Sequence, residues 1–298
     1  MSAMRCDSHV HVVGPIERYP QLPTRTYLAA PASLADLRRH GATRDVSRFV
    51  IVQPSFYGTD NTLLLETLDV LGADGRGVAV IDPAAITRAD LADCAARGVR
   101  GLRINLYSVL GGQERSLGQE RSLGHERGLA PLFAALEDIA RAMNWHVEVI
   151  APIRTLAQHA ERLAGAGVPV VIDHYGVYGS ATPDSGDGRA LLHLLRAPHV
   201  WMKLSAPYRV SDDPMQTRPD KSWLAAILDV AAQRCVWGSD WPHTPPHEMQ
   251  KDGGVVAPYR GLSYARLVDD FLAAVPAALS DQILRANPAR LYGFPRAA

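Results

Sequence analysis

Eight short runs rich in β-branched residues recur along the 298-residue chain and alternate with longer amphipathic stretches. This alternation separates repeated βα units from an all-β fold. The runs are Cys6 to Val12, Arg48 to Gln53, Gly77 to Asp82, Val99 to Asn105, Trp145 to Ile150, Val168 to Asp173, Val200 to Ser205 and Cys235 to Asp240. Ser33, Asp60 and Thr87 stand where a side-chain oxygen would cap a following helix, and Gly41, Gly72 and Gly98 stand where those helices would end. Eight strands, each followed by a helix and with almost no strand left over, close most economically into one α/β domain over residues 1–298, a (β/α)8 barrel. Barrel active sites lie at the C-terminal ends of the strands and on the loops beyond them, so those ends are where chemistry is expected.

The longest loops are expected after strands one (Val13 to Ala32), four (Leu106 to Gly128), six, seven and eight. The strand-four loop carries a duplication: QERSLG at 113–118 recurs at 119–124, and HERG at 125–128 is a degenerate third copy. We read residues 113–128 as a solvated loop insert, in which Arg115, Arg121 or Arg127 is a less favoured ligand contact.

Charge narrows the partners. Lys plus Arg (31) cancels Asp plus Glu (31), so the chain lacks the basic excess that non-specific nucleic-acid binding draws on. No apolar run approaches the ~20 residues of a membrane span. Three widely separated cysteines, Cys6, Cys94 and Cys235, form no CxxC pair, and no charged-then-apolar leader precedes Cys6. Reduced thiols and a cytoplasmic location are therefore expected. Nothing in the sequence opposes a homo-oligomer.

The polar residues at the strand ends carry the chemistry. Residues two apart on a strand share a face, so His9 and His11 of DSHVH point together into the barrel mouth, with Val10 and Val12 turned toward the helices. Strand six ends VIDH, bringing His174, and strand eight ends WGSDWPH, bringing Asp240. Four such groups are too costly to desolvate at one rim without a purpose. His146 is expected as a satisfied core histidine and Glu148 as the ion-pair partner of Lys203. His243 and His247 are candidate neighbours of the site. His40, His125, His159, His193 and His199 read as ordinary surface residues.

HVH, VIDH and WGSDWPH, together with VIVQPSFYGTDN (50–61), GVRGLRIN (98–105), VWMKLSAPYR (200–209) and NPARLYGF near the C-terminus, resemble the amidohydrolase superfamily. Within it the chain is similar to the branch of 2-pyrone-4,6-dicarboxylate lactonase and related sugar- and muconolactone hydrolases. The resemblance implies Asp240 as the general base that activates water, with His9, His11 and His174 polarising the carbonyl. It also implies Arg103 and Arg209 as carboxylate-binding residues, with Tyr27 and Ser55 as further substrate contacts. Two departures stand out. Where metal-dependent relatives have a strand-five ligand this chain has Ile150, and where the lactonase has a second basic residue beyond strand four it has Tyr107, Ser108 and Val109.

The resemblance and the loss at strand five together imply a centre without a cofactor. The alternative is one zinc or manganese ion held by His9, His11, His174 and Asp240. The expected partner is a small anionic lactone, and the expected reaction is hydrolysis of that ring, with no role for nucleic acid or membrane. Lactone isomerisation on the same rim, or non-catalytic binding of an organic acid, are the rival readings.

Overall fold

The computed structural model describes residues 4–107, 129–245 and 255–295. Eight parallel strands form one sheet in sequence order: β1 (Arg5–Val10), β2 (Val46–Val52), β3 (Gly75–Ala79), β4 (Val99–Asn105), β5 (His146–Ile150), β6 (Val170–Ile172), β7 (Val200–Ser205) and β8 (Cys235–Gly238). The eighth closes on the first just beyond its last residue. There the Asp240 amide donates to the His9 carbonyl at 2.9 Å, and the His11 amide to that of Trp241 at 2.8 Å. Helices follow each strand and pack outside, beginning with Leu34–Ala42, Thr62–Leu71 and Arg88–Ala96. This is the expected (β/α)8 barrel. No helix among the described residues is long and apolar enough to cross a membrane, and the QERSLG repeat lies outside the described residues.

Local signals explain most boundaries. Ser33 Oγ accepts from the Asp36 amide, and Thr87 and Asp90 form a reciprocal capping box. Asp60 Oδ1 accepts from the amide of Thr62, the first residue of the second helix, at 3.1 Å, as expected. Two expectations need correction. The first helix runs through Gly41 to Ala42, and β3 lies at Gly75–Ala79 because Asp82 opens a turn. At the functional end, β1, β6 and β8 stop at Val10, Ile172 and Gly238. The expected strand residues Asp173 and Asp240 instead leave the sheet, into backbone where His174 and Asp240 have φ of 48° and 58°.

The barrel interior is layered. Cys6, Val50, Val78, Val171, Trp201 and Val236 fill the N-terminal end, where Tyr292 and Phe294 from the C-terminal segment seal the floor. Above this apolar layer sit Glu148, Asp173, Lys203 and His9, all fully buried. Above these the mouth opens.

Candidate active site

Seven of the eight residues singled out from sequence line one cavity at the mouth: His11, Tyr27, Ser55, Arg103, His174, Arg209 and Asp240. His9 is the exception. It is fully buried and does not line that cavity. Ile150 also lines the cavity, so the position where a strand-five ligand would stand presents an alkyl group.

Asp240 is the hub. Its Oδ2 accepts from Tyr208 Oη at 2.6 Å and from Arg209 Nε at 2.7 Å. Its Oδ1 faces three imidazoles, at 3.4 Å from His11 Nε2, 3.6 Å from His9 Nε2 and 4.0 Å from His174 Nε2. Neither Asp240 Oδ1 nor His9 Nε2 has a hydrogen-bond partner within the protein, although both are buried. Two buried polar atoms left facing one spot mark where a reacting oxygen would sit.

The backbone is bent to aim these groups. Positive φ at His174, Tyr175, Val177, Ala206, Asp240 and His243 places six non-glycine residues in the left-handed region, all beyond strands six to eight. Such residues cost on the order of 1–3 kcal/mol each and gather where function requires the geometry. Gly238 serves the same end, since a Cβ there would come within 2.6 Å of His9 Cβ.

Electrostatics fix the protonation states. Burial opposes ionisation of Asp240, but the Arg209 guanidinium and the neighbouring imidazoles outweigh it and hold the carboxyl well below the usual carboxylate range. Burial pushes His174 and His243 down to about 4, and burial with the Lys203 charge pushes His9 well below its ordinary value. The rim therefore presents one carboxylate and neutral His9 and His174 rings at neutral pH.

Below the rim, Lys203 bonds to Glu148 Oε2 and stands 3.5 Å from Asp173 Oδ1. The expected Glu148–Lys203 pair is present, inside a larger network that Arg103 joins 3.6 Å from Asp173 Oδ2. His146 departs from expectation. It is buried, but neither ring nitrogen finds a partner, the nearest carboxylate being Glu148 at 3.8 Å. His243 is buried beside Tyr208, while His247 and His125 lie outside the described residues. Arg209 does two things at once, lining the cavity and pairing with Asp240, so the alternatives of ligand contact and rim salt bridge coexist in one side chain.

Sequence reasoning missed Tyr208, Asp173, Asn105, Tyr107 and Thr244. Tyr208 and Asp173 stand inside APYR and VIDH, so adjacency to a residue already chosen was the available signal. Asn105 ends β4, so its place at a strand end was a signal, whereas Tyr107 and Thr244 stand on segments beyond β4 and β8 whose course the sequence leaves open.

Among the described residues, two groups have ligand atoms within 4.8 Å of one another: His9, His11 and Asp240, and His9, Asp173 and His174. The spacings of 3.4 and 3.6 Å are close to the ~3.4 Å edge of a tetrahedron with bonds of about 2.0–2.1 Å. His11 suits a metal, because its Nδ1 meets the Val52 carbonyl at 2.7 Å and leaves the Nε2 lone pair facing in. His9 does not. Its Nδ1 stands 3.1 Å from the donor-only ammonium of Lys203, and a lone pair on Nε2 would set the Nδ1 proton against that ammonium. The first group takes His9 through Nε2, so the Lys203 contact opposes a metal ion there.

The amidohydrolase family profile matches residues 6–294. The chain belongs to this family. It is 30% identical over 292 residues to a 4-sulfomuconolactone hydrolase of Rhizobium radiobacter, covering 96% of this chain and 89% of the relative. It is 28% identical over 246 residues to a D-galactarolactone isomerase of Agrobacterium fabrum, covering 81% and 77% of the two chains. Among solved structures, a putative 2-pyrone-4,6-dicarboxylic acid hydrolase from Pseudomonas putida superposes with a TM-score of 0.79 at 28% identity, covering 100% of each chain.

Proposed function

We propose that this amidohydrolase is a metal-independent lactonase of the cytoplasm that opens a small carboxylated lactone, of the pyrone dicarboxylate, muconolactone or sugar-acid type. The observation that carries this reading is the convergence of Asp240 Oδ1 with three imidazole Nε2 atoms beside Arg103 and Arg209. Relatives that act on muconolactones and pyrone dicarboxylates support it.

In this reading Asp240 Oδ1 takes a proton from water as the water oxygen bonds to the ring carbonyl carbon. The carbonyl oxygen gains charge and is held by the Nε2–H groups of His9 and His174, each donor typically worth about 3 kcal/mol of barrier, while His11 presents a lone pair that can accept from the attacking water. The ring C–O bond then breaks, and the proton on Asp240 passes to the departing oxygen, so lactone plus water gives one hydroxy acid or its tautomer. Arg103 and Arg209 grip the substrate carboxylate, with Tyr27 and Ser55 fixing the ring. A carboxylate engaging Arg209 also draws that guanidinium from Asp240, which raises the basicity of Asp240 when substrate is present.

The isomerase relative makes internal attack by a substrate hydroxyl the competing reaction on the same rim. Lactones with one and with two carboxylates, incubated with the enzyme and followed by product analysis, separate the two. Ring-opened acid is expected, whereas a rearranged lactone with no acid released sinks the hydrolytic reading.

A further inference from the structure

We propose that Lys203 is a positioning residue that locks His9 with its ring proton on Nε2, turning a residue placed like a metal ligand into a hydrogen-bond donor aimed at the reacting oxygen. Lys203 enters from the middle of β7, is fully buried, and lies below the cavity without lining it. Its ammonium bonds Glu148 Oε2, reaches toward Asp173 Oδ1 at 3.5 Å, and meets His9 Nδ1 at 3.1 Å. An ammonium has three protons and no lone pair, so whatever faces it must accept. Glu148 accepts, Asp173 Oδ1 faces the ammonium as an ion-pair oxygen without a hydrogen bond, and His9 can accept only with the Nδ1 lone pair.

Asp173 Oδ1, 3.3 Å from the same Nδ1, is the rival partner and would favour the opposite tautomer. Lys203 is nearer to Nδ1, and Asp173 is already drawn toward two cations, Lys203 and Arg103. With the proton on Nε2, the ring N–H points at the spot that Asp240 Oδ1 leaves open at 3.6 Å. One residue of β7 thereby sets the chemistry of another on β1, two strands away around the barrel.

The tautomer is an observable of the resting enzyme, so it is tested without substrate. For turnover alone the inference rests on the hydrolytic reading above, and the tautomer result stands whichever reaction the enzyme performs. Long-range 1H–15N correlation spectra of full-length protein labelled with 15N-histidine distinguish a bare from a protonated ring nitrogen, with His9 assigned by its loss in His9→Gln. His9 is expected bare at Nδ1 and protonated at Nε2, and stoichiometric zinc chloride is expected to leave its signals in place. A proton on Nδ1, or His9 signals shifted by zinc, overturns the proposal. In Lys203→Met the proton is expected to move to Nδ1, facing Asp173, with zinc binding at least tenfold tighter. Kcat is expected to fall roughly a hundredfold with little change in KM. Should that variant fail to fold, Lys203→Met/Glu148→Gln removes one charge of each sign and is read in the same way. A His9 spectrum unchanged by loss of the ammonium contradicts the proposal.

Discussion

At the scale of single residues, everything turns on Asp240. Asp240→Asn keeps the shape and the contact to Arg209 but removes the base, and kcat is expected to fall about 10²- to 10⁴-fold with KM changed little. Steady-state kinetics on a turned-over lactone check this, and unchanged turnover contradicts the assignment. The pH response follows from the same environment. Asp240 is held ionised well below the ordinary carboxylate range, and His174 stays neutral down to about 4. Neither Asp240 nor His174 is therefore expected to give kcat/KM an acid limb above about pH 5, and a limb near 6.5 that disappears in His174→Gln would contradict a neutral His174. His174 also couples pH to stability. Its folded value, about 4, lies below the ordinary 6.5, so the unfolded chain takes the proton first. Stability from this residue is complete above about 6.5 and drains away as pH falls toward 4, by roughly 3 kcal/mol. Urea titrations at pH 7 and pH 4 are expected to show His174→Gln losing less stability than the parent between the two.

At the scale of elements, strands β5, β6 and β7 are tied by a buried charge network whose members cannot be removed singly without cost. Lys203→Met removes the closest cation of Glu148 and leaves Arg103 alone to balance two buried carboxylates, and is expected to destabilise by about 3–5 kcal/mol. Lys203→Met/Glu148→Gln is expected to recover much of that, as judged by denaturant midpoints. A double variant no more stable than the single one contradicts this account. The elements also show what could be read in advance. Strand number, order and helical alternation were legible because periodicity survives any tertiary detail. The ends of β6 and β8 were not, because VIDH and WGSD look like continuing strand until His174 and Asp240 adopt left-handed backbone. The Lys203–Glu148 pair was legible because two opposite charges on inward strand positions must meet. The isolation of His146 was not, since it arises from how Gly101 and Tyr292 pack around the ring.

At the scale of the whole molecule, the barrel separates stability from chemistry by placing them at opposite ends. Tyr292 is fully buried in the floor, and Phe294 lies under the guanidinium groups of Arg76 and Arg48 at 4.6 and 5.1 Å. Tyr292→Ala is expected to cost about 3–5 kcal/mol in thermal or chemical denaturation. Turnover well below the melting temperature should stay within a few-fold of the parent, because the rim is untouched. A large loss of activity in folded Tyr292→Ala would show that floor and mouth are coupled. The central claim, that Asp240 drives water onto a lactone carbonyl, is tested most directly by turnover in 18O-labelled water. One 18O atom in the new carboxylate of a ring-opened acid is predicted, with the rate of its appearance collapsing in Asp240→Asn. A product without label, or labelling at the parent rate in that variant, would contradict it.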